Sequence, residues 1–194
     1  MCNRYGYNSP HHRLVEIFGQ LELPFRWPEA APNLAPLEEI NPTDPAPVIQ
    51  AFEDGVRLDQ LRWGFAPARP KGPPVINFRS EGRRFERGRC LVPATHFFEF
   101  TGEKYPKTRW RFTHASDDVF CFAGLVRDER FTLLTCEPGP DVAPYHNRQP
   151  VILPKADWAG WLDVSRPAPS LAPSPAGTLR VAQDAPTERQ GQLI

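Results

Sequence analysis

The chain has 194 residues, which matches one domain and is long enough to bury a sizeable hydrophobic core. Its 23 basic and 23 acidic residues cancel, so no field of the whole molecule draws it towards nucleic acid or a membrane surface. It has no apolar run of membrane-spanning length and no apolar signal segment at its start. We therefore expect a reduced, cytoplasmic protein.

The charge is unevenly distributed along the chain. Between residues 57 and 111 there are thirteen Lys or Arg and five Asp or Glu, a local surplus of eight positive charges. A basic stretch with interleaved aromatics such as Trp63 and Phe98 suits a groove that binds a polyanion. A solvated, salt-bridged surface explains the same composition, so charge alone leaves both interpretations open.

The four cysteines are far apart, with no C-x-x-C pair and no pair of histidines at ligand spacing. This pattern predicts no zinc site and no bound metal. Cys90, Cys121 and Cys136 stand within apolar runs, which predicts that they are small core residues. Cys2 stands outside any such run.

The first predicted element is a helix. Ser9-Pro10 is a helix-start signal, and Leu14, Ile17 and Phe18 follow at the spacing of one apolar face. Gly19 predicts the end of this helix.

Residues 23–47 are rich in proline and aperiodic, which predicts an irregular covering loop. Residues 48–52 and 56–63, joined by Glu53-Asp54-Gly55, predict a hairpin. A second irregular stretch follows at 63–74. Later runs of strand-forming residues predict strands at 89–92, 96–101, 109–113, 119–126 and 131–136.

The last part of the chain predicts a short helix, a loose segment and a returning strand. Trp158, Trp161 and Leu162 lie at helical spacing and predict a core contact. Residues 165–177 are rich in Pro, Ser and Ala, and residues 178–181 predict a strand. Together these elements predict a single α+β domain over residues 1–194, with a mainly antiparallel, barrel-like sheet and a few short helices.

The pair Met1-Cys2 is the first candidate for chemistry. Removal of Met1 would leave an α-amine and a thiol on adjacent carbons, with reference pKa values of about 8 and 8.5. Such a 1,2-aminothiol can react with an aldehyde twice, first as an imine and then by closing a thiazolidine ring. Arg4, two residues away, is expected to lower the pKa of the thiol. A chance Cys at position two is the alternative.

Three further clusters carry polar groups in suggestive settings. Asn77 and Arg79 share one face if that segment is extended. Glu99 stands between two aromatics, which would favour its protonated form and suit it to proton transfer. His146 lies two residues before Arg148 in a loop. Each also has a structural explanation: a helix cap for the amide, a paired strand carboxylate for Glu99, and a turn residue for the imidazole.

A family resemblance connects these clusters. Motifs occur in register in this order: Met-Cys-Asn-Arg-Tyr at the start, Asn-Leu-Ala-Pro at 33–36, Arg-Trp-Gly-Phe-Ala-Pro at 62–67, Ile-Asn-Phe-Arg-Ser-Glu at 76–81, Arg-Cys-Leu-Val-Pro-Ala at 89–94 running to Phe-Glu-Phe at 98–100, Phe-Ala-Gly-Leu at 122–125, and Val-Ala-Pro-Tyr-His-Asn-Arg-Gln-Pro at 142–150. In this order the chain resembles the SOS-response-associated peptidase (SRAP) family, the abasic-site shielding proteins. The closing Gln-Gly-Gln-Leu-Ile at 190–194 is similar to the end of that family.

The resemblance implies a pocket in which Cys2 meets Asn77, Glu99 and His146. In such proteins the substrate is an abasic site in single-stranded DNA, and the aminothiol forms a thiazolidine with its aldehyde. Asn77 would hold the amine or the sugar, while Glu99 and His146 would move protons. The same groups are thought to remove Met1 autocatalytically, the peptidase activity of the family name.

The resemblance also implies a way of gripping DNA. Arg4, Arg79 and Arg148 stand at the family's phosphate-contact positions. The family usually has a Trp after its Trp-Gly-x-x-Pro motif, where it packs beside the bases, but here the stretch contains Arg69. The family's Asp-Gly before its aromatic-Glu-aromatic motif is replaced by Thr95-His96. These departures bear on DNA binding more than on the chemistry.

Two other functions remain open at this stage. The first is a cysteine peptidase acting on other proteins, with Cys2 and His146 as a dyad. The second is a non-catalytic module that binds single-stranded DNA. In each case we expect no cofactor and no membrane partner, a monomer suffices, and the protein would associate with the nucleoid when it binds DNA.

Overall fold

The computed structural model describes residues 2–27, 35–67 and 69–184. Within these residues there are two α-helices, α1 (His11–Gln20) and α2 (Trp158–Leu162), and a 3-10 turn at Lys155–Asp157. The strands are β1 (Tyr5–Tyr7), β2 (Leu37–Ile40), β3 (Pro45–Phe52), β4 (Gly55–Trp63), β5 (Asn77–Arg79), β6 (Arg89–Ala94), β7 (His96–Thr101), β8 (Thr108–His114), β9 (Phe120–Arg127), β10 (Arg130–Cys136), β11 (Gln149–Pro150), β12 (Ile152–Leu153) and β13 (Leu179–Asp184).

The strands form two sheets. The five-stranded sheet has the order β13-β8-β7-β1-β2, and all its pairings are antiparallel. The eight-stranded sheet has the order β11-β10-β4-β3-β6-β9-β12, with β5 paired to β10. This sheet curls back on itself, because β10 pairs in parallel with β4 and antiparallel with β9. The α+β class and the mainly antiparallel, barrel-like sheet are thereby confirmed.

Aromatic side chains from both sheets fill the space between them. The ring of Tyr5 on β1 meets Trp63 and Phe122 edge-on, at centroid distances of 5.1 and 5.7 Å. Phe97 on β7 stacks on Phe112 at 4.7 Å and also contacts Phe122. All five side chains are fully buried, so each contributes a large apolar surface to the core.

The first helix was predicted correctly in place and in its apolar face. Leu14, Ile17 and Phe18 are its buried residues, and Phe18 stacks on Trp158 at 5.1 Å. The helix begins at His11, and no side chain caps its first turn, so the predicted capping signal at Ser9 is not used.

The second helix also covers the core as predicted. Trp158, Trp161 and Leu162 are buried, and the two indoles donate their N–H groups to backbone carbonyls of Leu153 and Cys90. The predicted core positions of Cys90, Cys121 and Cys136 are confirmed. Neither α-helix is long and apolar enough to cross a membrane.

The predicted hairpin is present as β3 and β4, which pair along their whole length. The irregular loop predicted for 23–47 is wrong in part, because β2 and the first residues of β3 lie within it; residues 28–34 lie outside the described residues. Pro45 and Pro47 are accommodated in β3 because β6 pairs with this strand only at Ile49. At Pro45 and Pro47 the strand therefore has β4 on one side and no strand on the other. A proline N atom that faces the unpaired side leaves no hydrogen bond of the sheet unmade.

The five later strands are confirmed as β6 to β10, and the predicted last strand is β13, which pairs with β8. Residues 165–177 contain no helix or strand, although Ala168 and Leu171 pack against the core. The carboxylate of Asp141 accepts hydrogen bonds from the backbone of Gly177 and Leu179. Residues 190–194 lie outside the described residues.

Gly6 on β1 predicts a local stability test. A Cβ atom at this position would lie 2.3 Å from Cε1 of the buried His96 ring and 2.5 Å from the carbonyl oxygen of Glu38. The ring cannot retreat, because its Nε2 is held 2.9 Å from that same oxygen. We expect Gly6→Ala to lower the free energy of unfolding by about 2 kcal/mol, measured by urea denaturation.

Gly19 in α1 is the matched control. A Cβ atom there meets nothing within 4 Å, so Gly19→Ala should raise the free energy of unfolding by about 0.5–1 kcal/mol through helix propensity. Equal free energies of unfolding for the two variants would contradict the packing described at Gly6.

Candidate functional site

Cys2 is held against the middle of the five-stranded sheet. The β1–β7 pairing, which aligns Tyr5 with Phe97, continues towards the N-terminus because the N–H of Phe98 donates to the carbonyl of Arg4 at 3.0 Å. Cys2 is completely buried, and its Sγ–H donates to the same carbonyl at 3.4 Å. The antiparallel register therefore runs the first residues alongside the part of β7 that carries Glu99.

Asn77 reaches Cys2 from the other sheet. It begins β5, which pairs in parallel with β10. Its Nδ2 donates to the backbone carbonyl of Cys2 at 2.8 Å, across 75 residues of sequence. Its Oδ1 is buried and accepts no hydrogen bond from any residue that the structure describes. A buried amide oxygen without a partner is rare, so this atom is a ready acceptor beside Cys2.

The thiol of Cys2 is protonated at neutral pH. Burial raises its pKa far above the ordinary value, and the negative charge of Glu99 raises it further. The predicted lowering of this pKa by the positive charge of Arg4 is not seen: the net pKa is raised, a backbone hydrogen bond of Arg4 lowers it only in part, and the guanidinium pairs with Glu39 at 3.0 Å and lies over the ring of Phe100. Its positive charge is thus directed away from the sulfur.

Glu99 is buried on β7, and its pKa is shifted as the flanking aromatics predicted. Burial raises the pKa of its carboxyl to about 7, against the opposing charge of the N-terminal ammonium. The group therefore exists in both protonation states near neutral pH. A carboxyl with this pKa can both donate and accept a proton during a reaction.

His146 lies at the end of the turn that follows β10. Its backbone N–H donates to Val142, and its Nδ1 lies 3.0 Å from the backbone nitrogen of Arg148, which donates to it. Burial lowers the pKa of the half-buried imidazole, and the charge of the N-terminal ammonium lowers it too, while the Arg148 carbonyl acts in the opposite direction. The ring is thus neutral near pH 7, with Nδ1 used for orientation.

The predicted DNA-contact residues differ in how available they are. Arg79, at the end of β5, is exposed, and so is Arg69. Arg148 is largely buried, with its guanidinium held by both carboxylate oxygens of Glu81 and by the carbonyl of Thr135.

The two predicted aromatic contacts lie inside the protein. Trp63 is fully buried and donates its indole N–H to Ile76, one residue before Asn77. Phe98 is 2% exposed and has the guanidinium of Arg109 over its ring at 4.6 Å. In this arrangement Trp63 and Phe98 support the residues around Cys2 and present no face to a nucleotide.

Sequence reasoning missed the two carboxylates that hold the arginines. Glu39 on β2 accepts from Arg4 and from Arg109, and Glu81 accepts from Arg148. Arg148 and Glu81 are 67 residues apart. No local pattern marks such a pair, because the contact exists only after β5 and β10 have paired.

Comparison of the sequence with known proteins identifies the family of this chain. The family model described as SOS response associated peptidase (SRAP) matches residues 1–183. The chain belongs to this family. The relatives of this SRAP chain include the abasic site processing protein YoaM of Bacillus subtilis, 28% identical over 90% of this chain and 84% of the relative. Another is the abasic site processing protein YoqW of Bacillus phage SPbeta, 29% identical over 90% and 85%.

Solved structures share the SRAP fold. A crystal structure of a protein from Bordetella bronchiseptica superposes with a TM-score of 0.71 at 23% identity, covering 94% of this chain and 99% of that chain. A protein from Bacteroides thetaiotaomicron gives a TM-score of 0.69 at 17% identity, covering 94% and 91%. At these identities the structures establish the fold.

The raised pKa of Glu99 predicts how stability depends on pH. The folded state keeps a proton on this carboxyl up to about pH 7, whereas the unfolded chain releases it near its ordinary pKa of 4.5. The free energy of unfolding should therefore fall as pH rises between these values, by roughly 3 kcal/mol from this group. Glu99→Gln should remove that fall, as measured by urea denaturation from pH 4.5 to 8.

Glu103→Gln is the control, because Glu103 is exposed in the hairpin between β7 and β8. It should leave the pH profile of the parent unchanged. If the profiles of Glu99→Gln and the parent run parallel across this range, the carboxyl of Glu99 does not titrate as described.

Proposed function

We propose that this protein binds single-stranded DNA at abasic sites and crosslinks itself to them through Cys2. The observation that carries the proposal is the hydrogen bond from Asn77 to the Cys2 carbonyl, beside the shifted carboxyl of Glu99. It holds the second residue of the chain in a buried polar site. Membership of the SRAP family and the names of the two relatives supply the substrate class.

The proposed reaction begins with hydrolysis of the Met1–Cys2 peptide bond, which consumes one water and frees the Cys2 amine. The amine adds to the C1′ aldehyde of the ring-opened sugar, and the carbinolamine loses one water to give an imine. The Cys2 sulfur then adds to the imine carbon. A C–S bond forms, the C=N bond becomes single, and nitrogen takes up the proton that the thiol gives up. No oxidant or metal enters this balance.

The local electrostatics suit each proton transfer. Because burial keeps the thiol protonated, it must release its proton as the C–S bond forms. Glu99 can receive that proton, and in its protonated form it can donate one as the carbinolamine loses water. The neutral imidazole of His146, whose Nδ1 accepts from the Arg148 N–H, can donate a hydrogen bond through Nε2. Oδ1 of Asn77 can accept a hydrogen bond from the amine or the sugar hydroxyl.

The first prediction of this mechanism separates its two covalent steps. The parent should form an adduct with a single-stranded oligonucleotide carrying one abasic site, and the adduct should survive denaturing electrophoresis. Cys2→Ser keeps the amine and a hydroxyl but lacks the sulfur, so it should yield an adduct only when borohydride traps the imine. Gel-shift quantification with and without borohydride measures both outcomes.

Cys121→Ala is the matched control, since this thiol is buried in β9, which does not pair with β1, β5 or β7. It should form the stable adduct as the parent does. The crosslinking proposal fails if the folded parent, shown by intact mass to begin at Cys2, forms no adduct. The proposal also fails if Cys2→Ala forms as much stable adduct as the parent. If neither protein forms an adduct but both bind the DNA equally well, the protein is a non-catalytic binder.

The arginines predict a second, electrostatic test. We propose that the exposed Arg79 contacts a phosphate. Arg148, in contrast, is paired with Glu81 and is expected to act mainly in stabilising the fold. Arg79→Gln should reduce the slope of log affinity against log salt concentration by about one. Arg148→Gln should remove the ion pair with Glu81 and the hydrogen bonds to Thr135, and lower the free energy of unfolding by about 1 kcal/mol.

The salt dependence of DNA affinity is measured by fluorescence anisotropy at several salt concentrations. The free energy of unfolding of the same variants is measured by urea denaturation. Arg180→Gln, on the exposed side of β13, is a charge-matched control expected to change neither property. A full unit of salt slope lost in Arg148→Gln, with none lost in Arg79→Gln, would reverse the assignment.

A further inference from the structure

The ring of Tyr145 takes no part in the proposed chemistry, although the next residue is His146. Both residues lie in the turn between β10 and β11, and their backbone N–H groups donate to the same carbonyl, that of Val142, at 2.9 and 3.0 Å. Because both peptide groups are fixed, the two side chains keep a set direction relative to each other. Whatever holds the ring of Tyr145 therefore also sets where the imidazole lies.

The ring of Tyr145 packs on two aromatic side chains of β8. It lies tilted against Trp110, with 4.7 Å between the ring centroids, and meets Phe112 edge-on at 5.4 Å. Both arrangements are favourable for aromatic pairs. The two neighbours are themselves fixed, since Phe112 is fully buried and the indole N–H of Trp110 donates to Oγ1 of Thr101 at 2.7 Å. Tyr145 thus ties the turn to β8.

Trp110 lies on the face of the five-stranded sheet that carries Glu99. The β7–β8 register places these two residues directly opposite each other, and such pairs project their side chains from the same face. The next pair on this face is Phe97 and Phe112, which stack in the core, so this is the inner face of the sheet. The ring contact therefore joins the turn to the immediate neighbour of Glu99.

Glu99 and His146 also have one electrostatic neighbour in common. Burial raises the pKa of Glu99 and lowers that of His146, and the charge of the N-terminal ammonium lowers both. Since the same charge acts on the two groups, both lie near the start of the chain. The contact between Tyr145 and β8 therefore holds a residue of the candidate site.

Other contacts hold the turn at its beginning. The backbone N–H of Gly139 donates to Oε1 of the buried Gln149 at 2.6 Å. The carboxylate of Asp141 accepts a hydrogen bond from the backbone of Leu179 on β13 at 2.9 Å. Loss of the Tyr145 ring should therefore shift the end of the turn while its beginning stays in place.

We propose that Tyr145 is a positioning residue, whose ring holds the His146 imidazole where the reaction of Cys2 can use it. Proton transfer requires its partners to lie within hydrogen-bond distance, and a displacement of about 1 Å can cost about a hundredfold in rate. Because the contacts with β8 are made by the ring, the phenol hydroxyl is not required. This inference rests on the proposed function.

The first test compares the rate of crosslinking with the affinity for DNA. The rate is measured at saturating protein, on a single-stranded oligonucleotide with one natural abasic site. The affinity is measured by fluorescence anisotropy on a tetrahydrofuran analogue, which lacks the aldehyde and cannot react. Tyr145→Ala should lower the rate about tenfold or more and leave the affinity unchanged. Tyr145→Phe keeps the ring and should retain the rate of the parent.

A double-mutant cycle with His146→Ala shows whether Tyr145 acts through the imidazole. If it does, Tyr145→Ala should lower the rate no further when residue 146 is already alanine. An unchanged rate in Tyr145→Ala, an equal loss in both backgrounds, or a loss of affinity as large as the loss of rate would each overturn the inference. If Tyr145→Ala does not fold, Tyr145→Leu keeps more apolar volume and enters the same cycle.

Tyr105→Ala is the matched control for removal of a tyrosine ring. Tyr105 is 93% exposed and lies near the tip of the hairpin between β7 and β8. This variant should keep both the rate and the affinity of the parent.

An NMR titration of the DNA-free protein separates this inference from the proposed function. In the parent, burial keeps the pKa of the His146 imidazole below its ordinary value of 6.5. Tyr145→Ala should admit water to the imidazole and raise its pKa towards 6.5, whereas Tyr145→Phe and Tyr105→Ala should not.

The two proposals can then fail independently. If the parent forms no crosslink but Tyr145→Ala raises the pKa of His146, the proposed function fails and the positioning role of Tyr145 is supported. If the parent crosslinks while the rate and the His146 pKa are the same in Tyr145→Ala, the positioning role is overturned and the crosslinking proposal stands.

Discussion

The hydrogen bond from Asn77 to the carbonyl of Cys2 is the contact on which the arrangement of the site depends. It joins β5 of one sheet to the residue that precedes β1 of the other. The β1–β7 pairing fixes Cys2 along one direction, and the Asn77 amide fixes it along another. Since the start of a chain is usually its most mobile part, two independent restraints are what turn this residue into part of a site.

The burial of this site also sets the protonation states of the three groups that are proposed to react. Burial raises the pKa of the Cys2 thiol, brings that of Glu99 to about 7, and lowers that of His146. All three shifts favour the uncharged form, as desolvation requires. A protonated thiol whose pKa responds to a nearby carboxyl that can itself exchange a proton is suited to a reaction in which protons move and no ion persists.

The sequence and its family resemblance predicted the strands and the proximity of Asn77 to Cys2, but not the burial of Trp63 or the pairing of Arg4 with Glu39. The turn Glu53-Asp54-Gly55 between two runs of strand-forming residues was sufficient to predict the hairpin of β3 and β4, because that pattern is local. The apolar surround of Glu99 likewise predicted its raised pKa. Whether Trp63 faces the core or a nucleotide depends on the sheet that packs over it, and whether Arg4 is available depends on Glu39, 35 positions away.

The central claim is that the amine and the thiol of one residue carry the chemistry. Mass spectrometry of the proteolysed adduct tests it most directly. The account predicts an N-terminal peptide that begins at Cys2, carries the sugar remnant with the loss of one water, and has no thiol left to alkylate. A remnant found on a lysine, or on a peptide that still begins with Met1, would contradict it.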